Sequence, residues 1–117
     1  MNILSVVLQG LLGLGFLMFG FMKFGSKQMV DEFQRYGYSG SFRYFTGFIE
    51  VIAAILMIVG IWIDSLAAWG SLLIVITMLG GVGTHMKVKD PVNKMMMPII
   101  LLILGLVVFL IHFESLV

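Results

Sequence analysis

The chain has 117 residues, 61% of them apolar and only 11% charged, with a mean hydropathy of +1.13. A soluble domain carries roughly 25% charged side chains, and one this short leaves too much surface exposed to hide so many apolar groups from water. Solubility and disorder are excluded. A net charge of +1 leaves no basic field for nucleic acid, and the lack of cysteine excludes disulfides, thiolate zinc, iron–sulfur and dithiol chemistry.

Four stretches reach the roughly 20 mostly apolar residues that a spanning helix needs. They are residues 3–22, 44–63, 66–86 and 96–113. They predict an all-α membrane protein: a four-transmembrane-helix antiparallel bundle, forming a single transmembrane domain over residues 1–117. The first stretch has no positively charged start and no small-residue cleavage site, so a retained helix is expected there rather than a signal peptide.

Residues 23–43 separate the first two spans. Ser26 is expected to cap a short helix over residues 27–36. Met29, Val30, Phe33 and Tyr36 recur there at helical spacing, opposite Lys27, Asp31, Glu32 and Arg35. This pattern predicts an amphipathic helix lying at the membrane interface. The run Tyr36-Gly37-Tyr38-Ser39-Gly40-Ser41 ends it. Asp64-Ser65 is expected to be a tight turn, flanked by Trp62 and Trp69 as an aromatic belt would be. The third loop, residues 87–94, is polar and holds Asp90-Pro91.

All seven basic side chains fall in the first and third loops: Lys23, Lys27, Arg35, Arg43, Lys87, Lys89 and Lys94. The positive-inside rule places those loops in the cytoplasm and both termini outside.

Each span has one small or polar stripe, as close helix approach in lipid requires. The stripes are Gln9, Gly13, Phe16, Gly20 and Lys23; then Gly47, Glu50, Ala54 and Met57; then Gly70, Thr77, Gly81 and Thr84; then Pro98, Gly105 and His112. Such stripes suit a homodimer as well as packing within one chain. Pro98 is expected in the first turn of its helix or at a mild kink. Met95-Met96-Met97 is expected to be a helix start rather than a metal site. His112 lies beside Glu114 at the far surface and is assigned no role.

Glu50 is the candidate functional residue. It is expected six residues inside the second span, about 9 Å down the axis. A charge at that depth is costly unless paired, hydrated or protonated. Lys23, Arg43 and His85 fall in the same leaflet, with Tyr44 and Thr84 at the same level. Glu50 is therefore either half of a structural ion pair with Lys23 or Arg43, or the centre of a ligand or proton-handling site. Glu50 and His85 alone are too few ligands for a metal, so none is expected.

The stretches GLGFLMFGFMKFG, FTGFIEVIAAILMIVGIW and GGVGTHMKVKD resemble the DoxX-like family of small four-helix membrane proteins. The resemblance covers nearly the whole chain. It implies a bacterial cytoplasmic membrane and makes Lys23, Glu50 and His85 the family's intramembrane polar positions. It also implies a link to quinone-dependent oxidoreductase systems, and eukaryotic relatives look like receptor-assembly chaperones. The chain carries no flavin, haem or nucleotide motif, so no intrinsic cofactor is expected, and electrons would come from a redox partner protein. Three functions follow. The first is a subunit holding a hydrophobic small molecule, with a quinone as the leading candidate, near Glu50. The second is a non-catalytic assembly factor or partner-binding subunit. The third, ranked last, is a dimeric proton-coupled transporter.

Overall fold

The computed structural model describes residues 2–116. Five α-helices follow one another: α1 (Ile3–Gly25), α2 (Lys27–Tyr36), α3 (Gly40–Val59), α4 (Asp64–Lys87) and α5 (Val92–His112), with a terminal 3-10 turn over Phe113–Leu116. The helices α1, α3, α4 and α5 are long and apolar enough to cross a membrane. The described residues contain no strand.

The helix ends are set by backbone chemistry, and they move several expected boundaries. Asn2 caps α1 by accepting from the Ser5 N–H at 3.3 Å. Ser39 caps α3 by accepting from the Phe42 N–H at 3.1 Å, which starts that helix at Gly40 and not at residue 44. Ser26 occupies the N-cap position of α2, but its hydroxyl makes no capping bond, contrary to expectation. The α2 helix ends on Gly37 in the left-handed conformation, φ 83°, which glycine adopts without Cβ strain. Its Tyr38 N–H reaches back to the Phe33 carbonyl at 3.0 Å.

The turn between α3 and α4 covers residues 60–63, so Asp64-Ser65 is the start of α4 and not a turn. The reason is contact as well as propensity. A Cβ on Gly60 would lie 2.5 Å from the Ala67 nitrogen, so the first turn of α4 seats directly on this glycine. Pro98 is the seventh residue of α5, beyond the first turn, and its ring nitrogen offers the Lys94 carbonyl no hydrogen bond.

The core is formed by Leu12 and Phe16 of α1, Ala54 and Met57 of α3, Ile74 of α4 and Val108 of α5. Here α1 packs mainly on α3 and α4 mainly on α5, while α3 and α4 join the two pairs. The α4 stripe differs from expectation: Ala67, Gly70, Ser71, Ile74 and Met78 are buried, and Thr77 is only half-buried.

One end of the molecule carries a polar network that sequence reasoning missed. Ser5 Oγ donates to Gln9 Oε1 at 2.6 Å, so the His112 Nε2–H donates to Ser5 Oγ at 2.7 Å. The other ring nitrogen of His112 lies 3.5 Å from the Asp64 carboxylate. The Gln9 amide donates to the Met57 carbonyl at 3.0 Å. That carbonyl lies in the last turn of α3, where the Ile61 N–H bonds to Ile58 instead. Left unpaired, such a buried carbonyl costs about 1–3 kcal/mol, so Gln9 completes the end of α3.

Candidate functional site

At the opposite end, between the helices, lies a cavity of about 570 Å³. Its walls are mostly apolar and aromatic, with Phe19 from α1, Phe42, Phe45 and Ile49 from α3, Leu73 and Ile76 from α4 and Leu101 from α5. The apolar face of α2, carrying Met29, Phe33 and Tyr36, closes one end. Phe45, Ile76 and Met97 line the cavity and are each more than half exposed, which marks where it opens sideways. A cavity of this size and character suits a small hydrophobic molecule.

Glu50 and Lys23 both line this cavity and meet as an ion pair at 2.7 Å. Their side chains are 3% and 12% exposed, so both charges are largely desolvated. Glu50 sits deeper than expected. It is the eleventh residue of α3, about 15 Å along the axis, near the middle of the helix. Lys23 reaches it because α1 continues to Gly25 and two glycines bring the helices together. A Cβ on Gly20 would lie 2.9 Å from the Gly47 carbonyl, and one on Gly47 would lie 2.8 Å from the Gly20 carbonyl.

Four of the six candidate residues line the cavity: Lys23, Glu50, Thr84 and His85. Arg43 and Tyr44 do not. Arg43 is buried, donates to the Lys23 backbone carbonyl and lies 4.5 Å over the Tyr44 ring. Tyr44 stacks on Phe24 and is about half exposed. His85 does not approach Glu50; its Nδ1 lies 2.6 Å from Asp90.

The remaining polar groups in the cavity are mostly engaged. Thr46 and Thr77 donate to carbonyls of their own helices. The Tyr38 hydroxyl pairs with Thr84 at 2.9 Å. The Lys23–Glu50 pair is thus the main charged feature of the wall. Tyr36 and Tyr38 were not singled out by sequence; they read only as the apolar edge and terminator of α2. Among the described residues no three His, Cys, Asp or Glu side chains group as a metal site.

A second ionic cluster ties α2 over the cavity. Arg35 donates to both Asp90 oxygens, at 2.8 and 3.0 Å, and to Glu32 at 2.7 Å. Lys87 donates to the Tyr36 carbonyl at 3.1 Å. Lys89 adopts a left-handed conformation, φ 60°, and the Asp90 N–H returns to the His85 carbonyl, turning the Asp90 carboxylate toward Arg35. The Arg35 guanidinium, with His85 beside it, holds the Asp90 carboxyl down at about 2. Burial pushes the Tyr36 phenol up to about 12, with the Glu32 carboxylate adding to the effect.

A depressed carboxyl pKa means stability that is present above the unfolded value and lost as pH falls through the folded one. Amide protection of α2 is therefore expected to fall as pH drops from 3.8 toward about 2. In Asp90→Asn the protection should be weaker at neutral pH and keep only the part of the acid-dependent loss that comes from Glu32, whose carboxyl Arg35 also holds down. An identical acid profile in both proteins would remove Asp90 as the latch.

A family model described as the DoxX-like family matches residues 7–108. No curated protein and no solved structure matches the chain.

Proposed function

The chain belongs to the DoxX-like family, and on that premise we propose that it is a membrane subunit that holds a hydrophobic, carbonyl-bearing small molecule in the cavity beside Lys23 and Glu50. A quinone is the leading candidate, and the protein then serves a membrane oxidoreductase system whose electrons come from a partner.

The observation that carries this reading is a desolvated ion pair on the wall of an apolar cavity of about 570 Å³. An ammonium has three protons, and Glu50 engages one, so Lys23 retains donors for a ligand carbonyl. The aromatic rings of Phe42 and Phe45 suit a flat ring, and the sideways opening suits an apolar tail. Glu50 and Lys23 would bind, orient and exchange protons; the redox chemistry would belong to the ligand.

The test is solvent extraction and native mass spectrometry of the purified chain. A stoichiometric hydrophobic carbonyl compound is expected. A co-purifying protein with no small molecule would favour the second reading, a non-catalytic assembly factor. That reading is favoured by one observation: Lys23 already satisfies Glu50 without any ligand.

In the bacterial cytoplasmic membrane, the four spans form one antiparallel bundle with α2 along the cytoplasmic face. What supports the antiparallel arrangement is the run of α1 against α3, where Gly13 meets Ile58 while Gly20 meets Gly47. The chain has no cysteine, so single labels report its topology cleanly. Lys89→Cys is expected to be shielded from an impermeant thiol reagent in intact cells, and Glu114→Cys to react. The reverse pattern would invert the orientation.

A further inference from the structure

Arg43 stands outside the Lys23–Glu50 cavity, and its surroundings form a separate site. It is the fourth residue of α3 and is 8% exposed. Among the described residues no carboxylate lies within 4 Å of it. One nitrogen donates to the Lys23 carbonyl in the last turn of α1 and the plane lies over the Tyr44 ring, so the charge has a carbonyl and a π-face beside it but no counter-ion. A buried guanidinium without a counter-ion is costly.

This guanidinium lines a pocket of about 80 Å³, together with Ser39, Gly40, Gln34 and Tyr38. The pocket lies at the N-terminus of α3, a 20-residue helix whose first amide protons and dipole favour an anion. Ser39 engages the Phe42 N–H, which leaves the Gly40 and Ser41 N–H groups without helical partners. Gly40 has no side chain to cover them, and a Cβ there would lie 3.8 Å from Arg43 Nη2. Arg43 and Gly40, at the first turn of α3, thus border one small space.

We propose that this pocket binds a phosphate group, either of a lipid headgroup or of a free phosphate. Arg43 and the first turn of α3 supply charge-assisted hydrogen bonds, while Gln34 and Tyr38 border the space.

The decisive variant is Ser39→Asp. Aspartate caps a helix as well as serine does, so α3 persists, but its charge repels an anion. Lipid retention is measured by native mass spectrometry for the full chain in a nonionic detergent, with phosphatidylglycerol against diacylglycerol. The wild type is expected to prefer the phospholipid by at least about tenfold, and Ser39→Asp to lose that preference at an unchanged or higher melting temperature. Arg43→Gln should lose it too. Competition by millimolar inorganic phosphate would assign the site to free phosphate as well; its failure to compete would assign it to the lipid headgroup. Equal retention of both lipids by the wild type, or a preference that survives Ser39→Asp, would overturn the proposal.

Discussion

Glu50→Gln is expected to destabilise the protein by about 3 kcal/mol, at the lower end of the range for breaking a buried ion pair. The substitution keeps the shape and strands the Lys23 ammonium beside an apolar cavity. The lower end applies because the Lys23 side chain keeps 12% of its exposure and can draw some water. Lys23→Met combined with Glu50→Gln removes both charges and should recover most of that stability, since buried pairs gain little over apolar packing. Unfolding in detergent, followed for both variants, checks the pair of results. A Glu50→Gln protein as stable as the wild type would mean that the ion pair contributes nothing to the fold.

Gly47→Leu should cost about as much, near 3 kcal/mol, the upper end for overpacking. The obstacle decides the size. A Cβ at residue 47 meets the Gly20 carbonyl at 2.8 Å and Lys23 Cβ at 3.0 Å. A backbone carbonyl cannot rotate away, so α1 must move, and Lys23 moves with it. Gly15→Ala is the internal control. Nothing lies within 4 Å of a Cβ there, so its stability should be unchanged or raised by less than ~1 kcal/mol through helix propensity. Equal losses at residues 15 and 47 would show that close approach of α1 and α3 is not what these glycines provide.

The existence of the spans was legible because apolar length alone demands them, and the bounds of α2 were legible because its 3.6-residue period and Gly37 both act within a few residues. Span ends were less so. Apolarity marks what tolerates lipid, whereas Ser39 and Gly60 decide where α3 starts and stops; ignoring them placed Glu50 about 6 Å too shallow. The choice of Lys23 over Arg43 as its partner was accessible in principle. Residues 43 and 50 are two turns apart on one helix, about 10 Å, so Arg43 could not reach. The His85–Asp90 pair depends on a left-handed Lys89, which nothing in that local pattern announces. His112 meets Ser5 across 107 residues, a contact only tertiary packing creates.

The ligand reading rests on Lys23 and Glu50 acting together on one bound molecule. Binding of a short-chain quinone to the purified protein, compared with the fold-preserving pair Lys23→Met and Glu50→Gln, tests it most directly. The wild type is expected to bind, and the doubly substituted protein to bind at least about tenfold more weakly at a similar melting temperature, the loss of one charge-assisted hydrogen bond. Equal binding by the two proteins, or none by the wild type, would contradict it.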